Sequence, residues 1–154
     1  MNIRVGVPAP DFTATSDDGR CVHLAALRGS WVVLFFYPKA DSPGCTLEAR
    51  AFQRALPEFE ALGVHVIGVS TDTEATQAKL RHACGLSFPL VPDGERRVGR
   101  AYDVHRGVMS VFGRVNRETF LIDPSGLIAH HWKRVRPGAH ARDVLHEVRR
   151  RLTT

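Results

Sequence analysis

Cys45 comes directly after Ser42, Pro43 and Gly44, and Glu48 stands one helical turn beyond it. Before this stretch, Trp31 to Tyr37 is apolar without alternation and rich in strand formers, the pattern of a strand buried on both faces. After it, Cys45, Ala49, Phe52, Leu56 and Phe59 recur at spacings of four, three, four and three, a single helical stripe. Ser42 falls at the N-cap and Pro43 suits a first helical position. Cys45 therefore lies in a first turn, where unpaired backbone N–H groups and the positive dipole end favour a thiolate. Such a sulfur is a nucleophile at the edge of a sheet, and Gly44 lets the backbone approach a small ligand. The competing reading makes Cys45 a small buried residue on the apolar stripe.

The other two cysteines, Cys21 and Cys84, follow no regular spacing. An odd count in a 154-residue chain, long enough to bury its own core, argues against a secreted disulfide scaffold. No Cys-x-x-Cys is present, which argues against an ordinary thioredoxin or disulfide reductase. The eight histidines lack metal-ligand spacing, so no metal is expected. His65 reads as a satisfied core histidine of a central strand. His130 and His131 are strand neighbours and point to opposite faces.

The elements that must position Cys45 follow from the pattern. Two short extended pieces, around residues 12–15 and 21–24, flank a turn at Asp17-Asp18-Gly19. The helix after Cys45 meets Pro57, where a kink or break is expected. Gly63 ends it, and Val64 to Ser70 is a second central strand. Asp72 and Thr73 can cap a helix running to about Ala83, stopped by Gly85. Phe88 to Val91 is a short strand and Glu95 to Tyr102 a short helix or turn. Residues 103–116 read as an irregular loop. Residues 119–122 and 127–130 form a hairpin around Asp123-Pro124-Ser125-Gly126. A last helix starts near Gly138 and buries Ala141, Val144, Leu145, Val148 and Leu152. The order predicts one α/β domain over residues 1–154, with a mixed central sheet flanked by helices and an N-terminal β-hairpin. It fits a thioredoxin-like fold, and it fits other small α/β domains as well.

The formal charge is +5, with 18 of the 21 basic residues arginine. Arg149-Arg150-Arg151 closes the last helix, where cations complement the dipole. Lys133, Arg134 and Arg136 lie in a loop. Both groups read as solvated basic surface, since no nucleic-acid recognition module is visible. The amino terminus lacks the apolar stretch of a signal peptide, and the longest apolar run is seven residues, too short for a bilayer. A cytoplasmic, reducing setting is expected, without nucleic acid or membrane partners.

Pro38-x-x-x-Ser42-x-x-Cys45 resembles the active-site pattern of the peroxiredoxins. Tyr37-Pro38-Lys39 and Pro43-Gly44-Cys45-Thr46-Leu47-Glu48 are similar to its bacterioferritin comigratory protein branch, also called peroxiredoxin Q. Gly68-Val69-Ser70, Phe88-Pro89-Leu90 and Arg117-x-Thr119-Phe120-Leu121-Ile122-Asp123 share that likeness, which covers nearly the whole chain. The resemblance implies a thioredoxin-like fold and a thiol-dependent peroxidase for hydrogen peroxide and organic hydroperoxides, with no cofactor. It implies that Cys45 is the peroxidatic cysteine and becomes a sulfenic acid. It also implies that Ser42 bonds the substrate oxygen, that Arg117 supplies a fixed positive charge, and that Pro38 shields the pocket. Without it, Arg117 reads as a strand-edge arginine pairing with Glu118 or Asp123. Glu48 either holds an arginine in place or is an exposed early-helix acid.

The chain departs from the branch at Arg50, where many members carry a second cysteine. Cys84, near the end of the following helix, is the expected resolving cysteine, with Cys21 the weaker candidate and an outside thiol the remaining one. A Cys45–Cys84 disulfide would require local unfolding, and thioredoxin or glutaredoxin would reduce it. The alternative is a thioredoxin-like redox sensor or holdase that reacts once at Cys45. Val108, Met109 and Phe112 are expected at the mouth of the pocket, and a monomer is expected.

Overall fold

The computed structural model describes residues 3–153. Met1 and Asn2, part of the stretch read for a targeting signal, and Thr154 lie outside the described residues. β1 (Thr13–Thr15) and β2 (Cys21–His23) form the expected antiparallel hairpin. The remaining strands are β3 (Trp31–Phe36), β4 (Val64–Ser70), β5 (Leu90–Pro92), β6 (Glu118–Ile122) and β7 (Ile128–Trp132). They build one sheet in the order β5-β4-β3-β6-β7. β3, β4 and β5 run parallel, while β6 and β7 are antiparallel additions. The helices are α1 (Pro43–Ala61), α2 (Glu74–Cys84), α3 (Arg97–Ala101), α4 (Gly107–Val111) and α5 (His140–Leu152). This is the mixed thioredoxin-like α/β architecture that the sequence order predicts.

β3 explains why its sequence does not alternate. Val33, Phe35 and Tyr37 face one apolar cluster with α1, α2 and α5, while Val32, Leu34 and Phe36 face a second with Val22, Val98 and Tyr102. A strand covered on both sides has no polar face to show. Phe35 stacks on Phe52 with ring centroids 4.5 Å apart, which fixes α1 against the sheet. No helix among the described residues is long and apolar enough to cross a membrane.

Five expectations are corrected. α1 runs through Pro57 without a break. The lost backbone bond costs about 3 kcal/mol, but Phe52, Ala55, Leu56 and Phe59 are buried on both sides of the proline and hold the helix to the core. Leu152 is exposed, because the buried stripe of α5 ends at Val148. His65 is exposed rather than core, lining a surface groove with Cys21 and Pro89. β5 begins at Leu90, not Phe88. Residues 103–116 carry a short helix, α4, within the expected loop.

Candidate active site

β3 ends at Phe36, and residues 37–42 turn the chain into α1. Asp72, from the turn after β4, holds that turn: its Oδ2 accepts the Ala40 N–H at 2.7 Å and the Ser70 hydroxyl at 2.8 Å. Ser42 is the N-cap and Pro43 the first helical residue. The Ser42 hydroxyl donates to the Lys39 carbonyl at 2.8 Å and accepts the Cys45 N–H at 3.3 Å. One oxygen lone pair remains to accept from an O–H brought beside Cys45. Cys45 is 1% exposed, set in the cluster with Tyr37, Ala40 and Ala49.

Arg117 comes from the segment entering β6, and β6 pairs with β3 so that Glu118 lies opposite Phe36. That register carries the guanidinium to the first turn of α1. Its Nη2 donates to Cys45 Sγ at 3.3 Å and its Nη1 to Glu48 Oε1 at 2.7 Å. Gly44 makes the approach possible, since a Cβ there would meet Arg117 Nη2 at 3.1 Å. The fixed fork of arginine suits this double role.

Glu48 is fully buried, and its Oε2 has no hydrogen-bond partner. Burial pushes its pKa up to about 7, outweighing the attraction of Arg117. Arg117, with Glu48 and Cys45 beside it, is held above its ordinary value despite its own burial. Behind the pair lies His140, whose ring meets Thr119 Oγ1 at 2.7 Å and packs edge-on against Phe52 and Trp132. Burial, with the nearby Arg117 charge, lowers its pKa to about 4, so the imidazole is neutral at pH 7.

An open cavity of about 550 Å³ leads to Arg117, with Pro38, Met109 and Val135 in its wall. On its floor Glu118 accepts from Arg106 and meets His131 at 2.8 Å. Burial works to raise the Glu118 pKa, but these two partners hold it below the ordinary value. Val108, on α4, and Phe112, just after it, are expected at this mouth but do not line the cavity, and they are 72% and 73% exposed. Among the three residues named there, Met109 alone lines the cavity.

Pro38, Ser42, Cys45, Glu48 and Arg117 are thus brought together. Cys84 is not joined to them: it is a free, partly buried thiol at the end of α2, packed against the same apolar cluster as Cys45. Cys21 is free and exposed on β2, which belongs to the layer on the other face of the sheet. Sequence reasoning missed Asp72 as the anchor of the turn, because Thr73 is the cap and Asp72 reaches back across 32 residues. It also missed His140 and the bond from Arg114 to Asp72 Oδ1 at 3.2 Å, which no local pattern signals.

The fold and this site define a thioredoxin-fold protein organised around a buried cysteine in the first turn of a helix, faced by an arginine. A family model described as the AhpC/TSA family matches residues 5–131. Peroxiredoxin Bcp of Bacillus subtilis (strain 168) is 36% identical over 149 residues, covering 94% of each chain. The putative peroxiredoxin bcp of Coxiella burnetii is 37% identical over 152 residues, covering 94% of this chain and 98% of that one. Among solved structures, a cysteine-to-serine mutant of Xylella fastidiosa PrxQ superposes with a TM-score of 0.91 at 28% identity, covering 99% of both chains. The Xanthomonas campestris bacterioferritin comigratory protein superposes with a TM-score of 0.87 at 32% identity, covering 96% of this chain and 99% of that one. It was solved as trapped intermediate and ligand complexes to study its alkyl peroxide reduction. The chain belongs to the AhpC/TSA family, on its Bcp and peroxiredoxin Q branch.

Proposed function

We propose that this peroxiredoxin reduces hydrogen peroxide and organic hydroperoxides at Cys45. The observation that carries the reading is the Arg117 fork, which faces the sulfur with one arm and Glu48 with the other. The Cys45 sulfur attacks the terminal peroxide oxygen and the O–O bond breaks. The sulfur loses two electrons and becomes a sulfenic acid, and the leaving oxygen departs as water or alcohol once protonated. Arg117 stabilises the negative charge that builds on the oxygens. The free lone pair of Ser42 accepts from the peroxide O–H, and Pro38 screens the site from water. The Xanthomonas relative studied for alkyl peroxide reduction supports including organic substrates.

Cys84 then attacks the sulfenic acid, forming a disulfide and releasing water, and a thioredoxin or glutaredoxin restores both thiols. A cavity of about 340 Å³ lies between Ala40 and Thr46 on one side and Leu80 and Ala83 on the other. The end of α2 therefore flanks the first turn of α1, whereas β2 with Cys21 packs on the other face. Residues 1–154 act as one domain in a reducing cytoplasm, as a monomer.

The test is peroxide consumption driven by a thioredoxin system, on wild type, Cys45→Ser and Cys84→Ser. Loss in both variants supports the two-cysteine cycle, and loss in Cys45→Ser alone assigns resolution to another thiol. A wild type that is oxidised once and never cycles is a sensor, and the peroxidase reading fails.

A further inference from the structure

We propose that Lys133 and Arg134 form an acid-recognition subsite at the mouth of the open cavity that leads to Arg117, selecting organic hydroperoxides that carry a carboxylate. The inference rests on the peroxidase reading above. In the sequence Lys133, Arg134 and Arg136 form one basic group that reads as solvated surface. The structure divides it. Arg136 lies 3.8 Å from Asp143 and is largely exposed. Lys133 and Arg134 are exposed as well, but they line the open cavity that leads to Arg117.

The charges there do not cancel. The one carboxylate in the cavity wall is Glu118, and both of its oxygens are engaged, one by Arg106 and one by His131. Arg117 is engaged by Glu48. Among the described residues no carboxylate pairs with Lys133 or Arg134, whereas the cations of the last helix are matched by Glu58 and Glu147. Two unmatched cations on the rim of one open cavity act together on an anion held between them, through an attraction that salt screens.

The size and lining point to an organic anion rather than a small one. About 550 Å³ is the scale of a drug-sized ligand site, far beyond what hydrogen peroxide fills. Pro38, Met109 and Val135 give the hydrocarbon of such a substrate apolar surface between the two ends. The peroxide group reaches Cys45 past Pro38, and the carboxylate stays at the rim with Lys133 and Arg134. The reaction is unchanged: the sulfur takes the terminal oxygen, the alcohol leaves, and the carboxylate takes no part.

The experiment is direct oxidation of reduced protein, followed by stopped-flow in the absence of any reductant. The probes are hydrogen peroxide, cumene hydroperoxide, and cumene hydroperoxide bearing a para-carboxylate. Wild type should react about tenfold faster with the carboxylated probe than with its uncharged parent, the worth of one charge-assisted contact. That advantage should shrink as salt is raised. Lys133→Gln/Arg134→Gln should lose the advantage while keeping its rates with the other two probes. Equal rates for the two cumene probes in wild type overturn the subsite, as does a double variant slowed equally with all three. A charge effect seen only in reductant-driven turnover assigns the two cations to reductant docking and also overturns it. Failure to oxidise Cys45 with any probe overturns the peroxidase reading, and the subsite with it.

Discussion

Glu48 and Arg117 meet inside the protein, Oε1 2.7 Å from Nη1, with the carboxylate wholly removed from solvent. The pair is 69 residues apart in sequence and joins α1 to the start of β6. Its effect is directional. With Nη1 committed to Glu48, Nη2 is left facing Cys45 Sγ, and the guanidinium cannot swing into the open cavity.

Arg117→Lys is therefore not conservative. An ammonium is a single point of charge and cannot reach Glu48 and the sulfur with two fixed arms. The expected outcome is a loss of about 10²–10³-fold in kcat/KM for hydrogen peroxide, typical of removing a preorganised charge stabiliser. Steady-state kinetics beside a thermal melt checks this. A rate near wild type would show that charge alone suffices and that the fork has no role.

Ser42 has two jobs that substitution separates. Ser42→Ala removes the cap on the Cys45 N–H, costing about 1 kcal/mol, and removes the oxygen proposed to meet the peroxide. Ser42→Thr keeps both and adds a methyl group that narrows the rotamers. Activity should fall by at least tenfold in the alanine variant, roughly one hydrogen bond's worth, and stay near wild type in the threonine variant. Equal losses in the two would point to crowding in the pocket rather than hydrogen bonding.

How far the sequence could be read depended on the range of each interaction. β3, α1 and β4 were legible because their patterns are local: a doubly covered strand, a capped stripe, a glycine stop. The N-cap geometry placing Cys45 was legible for the same reason. Arg117 was not, because its partners follow from the β3–β6 register, and by spacing alone it reads as paired to Glu118 or Asp123. Glu48 was ambiguous until the fold buried it. Asp72 looked like a cap because it stands beside one, and only the parallel β3–β4 pairing brings it to Ala40. The Pro57 break failed because a local rule met stronger packing from Phe52, Leu56 and Phe59.

Two buried groups near the site should pull the pH dependence of stability in opposite directions. Glu48 titrates near 7 in the folded protein against 4.5 in the open chain, because burial disfavours its charge. Between those values the native state binds the extra proton, so its contribution is full below pH 4.5 and is lost as pH rises through 7. His140 titrates near 4 against 6.5, so here the unfolded state binds the extra proton. Its contribution is full above pH 6.5 and is lost as pH falls through 4. Denaturant unfolding from pH 4 to 8 checks both. Glu48→Gln should make the curve rise more steeply with pH than wild type, and His140→Gln should flatten or reverse the rise. Parallel curves for all three proteins would mean that neither group titrates as stated.

Asp72 should behave as a positioning residue. It holds the Ala40 N–H, the Ser70 hydroxyl and Arg114, all at the rim of the turn that carries Ser42. Asp72→Ala leaves a buried N–H and a hydroxyl without their acceptor, at a cost of about 1–3 kcal/mol each. The turn should loosen, lowering kcat/KM for every peroxide, while Asp72→Asn, which keeps one carbonyl oxygen, should recover part of it. If both variants lose stability but react at the wild-type rate, the anchor is structural only.

The resolving step sets the last prediction, because Cys84 sits inside a clamp. Three residues before it, Arg81 bonds Asp17 through Nε at 2.6 Å and Nη2 at 2.7 Å. The same guanidinium donates to the carbonyls of Leu86 and Phe88, each at 2.7 Å. Asp17 belongs to the turn between β1 and β2 and has a fully buried side chain. Arg81 thus ties both flanks of Cys84 to the N-terminal hairpin. A disulfide needs Cα atoms within roughly 4.4–6.8 Å, and the proposed two-cysteine cycle has the end of α2 open so that Cys84 reaches Cys45. Removing a partner from a buried pair costs about 3–5 kcal/mol, and the neutral isostere Asp17→Asn should cost less while loosening the same clamp. The variant should melt earlier, yet its Cys84 should be alkylated faster in the reduced protein and form the Cys45–Cys84 disulfide faster after one equivalent of peroxide. Peptide mapping by mass spectrometry follows both. A lower melting temperature with unchanged Cys84 labelling would show that the clamp stabilises the fold without governing the opening of α2.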